Sequence, residues 1–474
     1  MSMKLNQSHA VWMLCAFVGV ILVAAGLEWS LRLAPSIQVG TAVVSQTLCG
    51  EIFISGLDAN RVFAEEIRPR PNFRILLKRL RYQVHPSSGQ VVTTWFGHFP
   101  SVATYRPGYG CTLGNPESAT TAIAPSSAPG AESGALPVVT PPAGSPLNDA
   151  LDDAFAESAQ PPFRQLRQVR AIVIVRDGKI IAERYAPGIA PDTPLLAYSV
   201  SKSLINALIG ILVRDGKLDV YVRAPVPAWS SPSDPRHAIT LDELLRMTSG
   251  LNLTESDTGL DPVSRMLFRE SDMAAYAESA RLKAIPGTTW EYTSGNTLIA
   301  SAILRDAVGG RADDVRNFAR SRLFDPVGMQ HVTMEFDSAG TPVGSTRFFA
   351  SARDWARFGQ LYLDDGIVNG KRILPEGWVA YSAKPTLASD YGAGFWVNAG
   401  QAEDARERVQ AGMPADSFYA SGNLGQRIVI IPSQRLVLVR FGVTIGYPGQ
   451  DIRGLLRLVS AVIAAQHPST PEAR

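Results

Sequence analysis

The sequence predicts an α+β protein: one antiparallel sheet flanked by helices, with an all-helical subdomain beside it. Three observations carry this. "VRAIVIVRDGKIIAERYA" (169–186) is two apolar runs around Asp177-Gly178, a dipeptide that favours the two-residue turn of a hairpin. Strand signals return only near the far end, in "YGAGFWV", "DSFYASG", "QRIVIIP" and "RLVLVRFG". Between them, from about Ser199 to Gly366, helical periodicity dominates. Strands at both ends with helices between imply that the first and last strands meet. "LNDALDDAFAES" (147–158) and "DIRGLLRLVSAVIAAQ" (451–466) read as amphipathic helices.

The 474 residues are 46% hydrophobic and 19% charged, enough to bury a sizeable core. A net charge of +2 with no long run of one sign gives no reason to expect a nucleic-acid partner. Residues 1–36 read as a signal peptide or membrane anchor, since Ala10 to Leu27 is almost unbroken apolar sequence. Val23-Ala24-Ala25 suits a cleavage site, whereas Trp29 and Arg32 suit interfacial anchors. Either way the rest is expected outside the cytoplasm, anchored to the inner membrane facing the periplasm or secreted after cleavage. Residues 37–115 read as a small β-rich accessory region, from alternation in "GTAVVSQTLCGEIFISG" and "GQVVTTWFGHFPSVATY". Its two cysteines, Cys49 and Cys111, are expected to pair in an oxidising compartment. The basic stretch "RPRPNFRILLKRLRY" (68–82) is a solvated face or a surface that leans on anionic lipid. Residues 116–146, rich in Pro, Ala, Ser, Gly and Thr, read as a flexible linker that ends one unit and starts another, 147–474.

The chemistry starts at "LLAYSVSKSLINALIG" (195–210). A serine hydroxyl is a poor nucleophile without a base in reach. On a helix, positions i and i+3 share a face, which sets Ser199 beside the amine of Lys202. A helix N-terminus there adds N–H groups and positive potential, which favour an oxyanion and a neutral lysine. Taken alone the spacing is equally that of a helix cap and a solvated lysine. "PGTTWEYTSGNTLIASAIL" (286–304) adds Tyr292 in a Gly-bounded turn before another helix; a phenol near a cation can lose its proton or relay one to a leaving group. "FYASGNLGQ" (418–426) is a strand ending in small residues, open to a substrate backbone along a sheet edge.

Together these stretches resemble the serine β-lactamase and penicillin-binding-protein superfamily, in its class C and esterase-like branch. The resemblance spans roughly 147–467. It is carried by "YSVSKS", "ITLDELLRMTSGL" (239–251), "PGTTWEYTSGN" (286–296), "SARDWARFGQLYLDDGIVNGKRILPEGWV" (351–379) and "ASGNLGQ" (420–426), in matching order and spacing. The wording is most similar to 6-aminohexanoate-dimer hydrolase-like members, including "DMAAYAES" (272–279). The resemblance implies Ser199 as acylating nucleophile, Lys202 as its base and Tyr292 as a second proton-transfer group. It implies substrate and oxyanion contacts from Ser294, Ser421, Gly422 and Asn423, the oxyanion N–H groups being those of Ser199 and Asn423. It implies a small amide or ester substrate, with no cofactor and no metal.

Two departures separate the chain from penicillin-hydrolysing relatives. The family's Tyr-x-Asn is Tyr292-Thr293-Ser294, which lacks the amide. The family's Lys-Thr-Gly or His-x-Gly is Ala420-Ser421-Gly422, which lacks the cation or imidazole. Both leave acyl transfer possible and favour an amidase or esterase. Arg427 is a candidate to replace the lost charge, and Tyr198, Trp290 and Trp396 are either pocket walls or plain core residues. The rivals are a β-lactamase or D-Ala-D-Ala carboxypeptidase and a binding protein that has lost turnover. Neither a Gly-x-Ser-x-Gly elbow nor a His-Glu-x-x-His zinc motif occurs, and neither His237 nor His331 lies in a triad-like phrase.

Overall fold

A computed structural model describes residues 15–19, 26, 33–114, 136–156, 165–256 and 259–465. The apolar segment 10–27 lies mostly outside them. Among the described residues no helix is long and apolar enough to cross a membrane.

The stretch read as the first strand of the accessory region is instead a 20-residue helix, α1 (Ala34–Phe53), opened by Pro35. Its period is hidden because it is buried on nearly every side, so no polar face marks the 3.6-residue repeat. It lies across a meander of β1 (Leu80–His85), β2 (Gln90–Trp95), β3 (His98–Arg106) and β4 (Gly110–Leu113). Here β2 and β3 follow the predicted alternation. Thr41 and Ser45 bond Ser101 from the helix, and Cys49 is joined to Cys111 by a disulfide.

The end of the expected linker and the region that follows it are described from residue 136. The linker's tail is tied down, since Ile180 N–H donates to Pro137 O and Val139 N–H to Ile180 O. Helix α2 (Pro146–Phe155) leads into β5 (Leu166–Arg176) and β6 (Lys179–Tyr185), turned at Asp177 and Gly178 with φ of 48° and 72° as a type I′ hairpin requires. Next come β7 (Leu195–Leu196), the central helix α3 (Ser201–Arg214), and the helical subdomain of α4 (Pro262–Arg269), α5 (Met273–Glu278), α6 (Ser294–Val308) and α7 (Ala312–Ala319). Then β8 (Val332–Met334), β9 (Phe348–Ala350), α8 (Ala352–Leu363) and the short hairpin β10 (Ile367–Val368) and β11 (Lys371–Arg372) precede β12 (Trp396–Val397), β13 (Phe418–Gly422), β14 (Gln426–Ile431), β15 (Leu436–Ile445) and α9 (Ile452–Ala464).

The main sheet runs β12-β13-β14-β15-β5-β6, antiparallel throughout. As expected, the first and last long strands meet, with Leu436 opposite Arg176 and Ile445 opposite Leu166. Helices α2 and α9 cover one face, where Leu151, Leu455, Val459 and Val462 pack on Ile172, Ile174 and Leu438. Helix α8 covers the other, stacking Trp355 on Phe441. A small sheet, β7-β9-β8, was not foreseen; strands of two or three residues are too short to show alternation.

The accessory region is not a separate unit. Val44, Leu48, Leu57, Val62 and Ile67 share one continuous core with Leu195, Ala197, Val200 and Phe348.

Candidate active site

Ser199 sits in a single 3₁₀ turn, Tyr198–Val200, two residues ahead of the start of α3 rather than inside its first turn. It does not cap that helix, whose N-cap is Val200 with no side-chain bond. Nor is Lys202 solvated: it is 3% exposed, because α3 is buried from Ser201 to Leu212. The i, i+3 geometry survives the change of helix type. Lys202 Nζ donates to Ser199 Oγ at 3.0 Å, to Ser294 Oγ at 3.1 Å and to the carbonyl of Ser345 at 2.9 Å.

Tyr292 and Ser294 arrive from a distant segment. Thr293 N-caps α6 and also donates to Leu253 O at 2.6 Å, while Glu291 N–H donates to Met247 O. The turn after "ITLDELLRMTSGL" therefore braces the tyrosine loop. The Tyr292 ring lies under the amine, 4.8 Å from Nζ to centroid, and its hydroxyl faces the Ser199 side chain. Four predicted residues thus converge: Ser199, Lys202, Tyr292 and Ser294.

The electrostatics divide the labour. Burial lowers the Lys202 amine to about 8, with the Glu255 carboxylate partly opposing the shift. Among the described residues no carboxylate pairs with it directly, so a neutral amine is accessible near neutral pH. Burial, reinforced by Glu255, raises the Tyr292 phenol well above its ordinary value. Of the two behaviours open to this phenol, the structure favours relaying a proton over losing one.

The third predicted stretch reaches the same place. A Cβ on Gly422, at the end of β13, would lie 2.3 Å from Ala197 O and 3.2 Å from Tyr198 Cβ. The strand end therefore abuts the backbone just before Ser199, with Ser421 and Asn423 on either side. Gly422→Ala is expected to lower the melting temperature, by overpacking worth about 1–3 kcal/mol, and to slow acylation. A thermal melt and a burst assay check both.

Two of the three aromatic candidates pack beside the site. Trp396 stacks on Tyr292 at 5.6 Å, Trp290 meets Trp396 edge-on, and Tyr391 meets both Tyr292 and Trp396. Tyr198 is not part of this wall; its hydroxyl points into the accessory region, against Arg70. Arg427 is no replacement cation. It is buried and donates to the carbonyls of Gly422, Gln426 and Gly449, bracing the turn instead.

Sequence reasoning missed Glu255. Its carboxylate accepts from both Ser294 N–H and Ser294 Oγ, extending a chain Glu255–Ser294–Lys202–Ser199. A lone glutamate in a polar loop carries no signal before the fold brings it to α6. Among the described residues no His, Cys, Asp and Glu cluster could hold a metal ion.

A sheet flanked by helices, with a serine, a lysine and a tyrosine meeting at its edge, defines the β-lactamase/transpeptidase-like fold. The chain belongs to the Beta-lactamase family, whose model matches residues 159–451. It is 25% identical over 314 residues to the 6-aminohexanoate-dimer hydrolase of Paenarthrobacter ureafaciens, covering 62% of this chain and 76% of that protein. Among solved structures, a candidate 6-aminohexanoate-dimer hydrolase from Bacillus anthracis superposes with a TM-score of 0.55 at 22% identity, over 70% of this chain and 87% of the other. A family VIII carboxylesterase gives 0.54 at 14% identity, over 69% and 98%.

Proposed function

We propose that this protein is an exported serine hydrolase that cleaves the amide or ester bond of a small substrate through an acyl-enzyme on Ser199. One observation carries the reading: a buried lysine amine, which among the described residues pairs with no carboxylate, lies 3.0 Å from that hydroxyl. Ser199 Oγ attacks the carbonyl carbon as its proton passes to Lys202 Nζ. The N–H groups of Ser199 and Asn423 hold the oxyanion. As the carbon–nitrogen or carbon–oxygen bond breaks, Tyr292 hands a proton to the leaving group and is resupplied by Lys202. Water then repeats the attack on the acyl carbon and frees the acid.

Ser294 in place of the amide, and Ala420 in place of the cation, support amides and esters over penicillins. The likeness to a 6-aminohexanoate-dimer hydrolase supports amide chemistry. Export, with the N-terminal segment as cleaved signal or retained anchor, is supported by the apolar run 10–27 and by the Cys49–Cys111 disulfide.

The test uses the full chain, a fluorophosphonate probe with peptide mapping, and a panel of nitrophenyl esters, amides and a fluorescent penicillin. Expected are an adduct on Ser199, turnover of ester or amide, and no penicillin labelling. Rapid penicillin acylation instead makes it a β-lactamase or carboxypeptidase. No adduct anywhere makes it a binding protein.

A further inference from the structure

The residue before Ser199 is held in an unusual way. Tyr198 has φ of 48°, a left-handed conformation that a non-glycine residue keeps only when its surroundings enforce it. On one side its Cβ meets the end of β13 at Gly422. On the other its hydroxyl accepts from Arg70 Nη2 at 2.9 Å and reaches Glu66 Oε2 at 3.4 Å. Both partners belong to the accessory region.

Those partners are themselves fixed. Arg70 Nε donates to Glu66 O at 2.7 Å. Glu66, 1% exposed, pairs with Arg170 of β5 at 2.7 Å, and Arg170, 5% exposed, also pairs with Glu51 of α1 at 3.1 Å. Buried charges of this kind are stable only as a complete set. A second contact runs from α1 to the same segment. Gly50 lies against the ring of Phe349, where a Cβ would come within 2.6 Å. Neighbouring Phe348 accepts from Ala197 N–H at 2.8 Å and donates its own N–H to Ser201 Oγ at 3.2 Å. The backbone from Ala197 to Ser201 is thus gripped from both sides by groups that α1 and residues 63–70 hold in place.

We infer that the accessory region is part of the active-site scaffold, and that Arg70 and Glu66 are positioning residues which, through the hydroxyl of Tyr198, hold the Ser199 turn in its reactive geometry. This rests on the reading of Ser199 as nucleophile. It gives residues 33–114 a role in the reaction rather than in docking to a surface.

The experiment compares the full-length protein with Tyr198→Phe, which keeps the ring and loses the hydroxyl, and with Arg70→Gln, Arg70→Lys and the Tyr198→Phe/Arg70→Gln pair. Three quantities are read: fluorophosphonate acylation of Ser199, kcat and KM on an ester, and amide hydrogen exchange of residues 195–203. Expected is a loss of about tenfold in acylation rate and kcat with KM unchanged, as for small misplacement of a reacting group. Arg70→Lys should recover part of it, and the pair should be no worse than either single change. Exchange of 195–203 should quicken while the melting temperature holds. Wild-type exchange with wild-type acylation in Tyr198→Phe overturns the inference, as does a rate loss that merely tracks the melting temperature. An unlabelled wild type defeats the hydrolase reading, and the exchange data still decide whether the accessory region orders this turn.

Discussion

Ser199→Ala is expected to abolish hydrolysis, a fall on the order of 10⁴- to 10⁶-fold in kcat, with almost no change in melting temperature. The two halves of this result have separate causes. The covalent route requires an oxygen at this position; among the described residues the other side-chain hydroxyl bonded to the Lys202 amine is Ser294 Oγ, and it is itself engaged with Glu255. Stability is spared because Ser199 is only half-buried and caps no helix. When its Oγ is removed, Lys202 keeps Ser294 Oγ and Ser345 O as partners. The cost is one hydrogen bond at a partly solvated site, about 1 kcal/mol. Substantial turnover in the variant, measured with a nitrophenyl ester after excluding wild-type contamination, would remove Ser199 from the mechanism.

Lys202→Ala is expected to cost several orders of magnitude in kcat/KM, and Ser199→Ala/Lys202→Ala to be no worse than Ser199→Ala alone, because nucleophile and base act as a unit. The pH profile adds an independent check. With the amine lowered to about 8, its neutral fraction grows with pH below that value. Acylation should climb about tenfold per pH unit on the acid side and level off above about 8. Stability moves in the same direction. The folded amine titrates at about 8 and the unfolded one near 10.5, so between these values the unfolded chain binds the extra proton and stability rises with pH. Below about 8 the protein carries the full cost of a buried ammonium. Lys202→Met should flatten this dependence along with the rate profile. Retention of most activity in Lys202→Ala would show that the proton leaves Ser199 by another path.

What could be read from the chain alone was whatever is written in neighbouring residues. The β5–β6 hairpin follows from Asp177-Gly178 between two apolar runs, and Ser199 and Lys202 share a face whether the turn is α or 3₁₀. The order of three short motifs singled out Tyr292 and Gly422, which the fold brings beside Lys202 and Ala197, without any view of the space between them. The helix α1 was misread because burial on all sides erases the periodicity on which such a reading depends. The roles of Glu255, Arg427 and Tyr198 had to wait for the fold. Arg70 and Tyr198 are 128 residues apart, and Glu255 and Ser294 are 39 apart. Contacts at such separations leave no local pattern, since the hydrophobic repeat records which face of an element is buried and not what it is buried against. The sequence by itself therefore determined the chemistry on offer, an alcohol beside an amine. Only the tertiary structure decided that the amine is buried over the phenol ring, and that the turn bearing the alcohol is contacted by a region that looked separate. Burial and such contacts depend on every layer packed around a group, and those layers come from the whole chain.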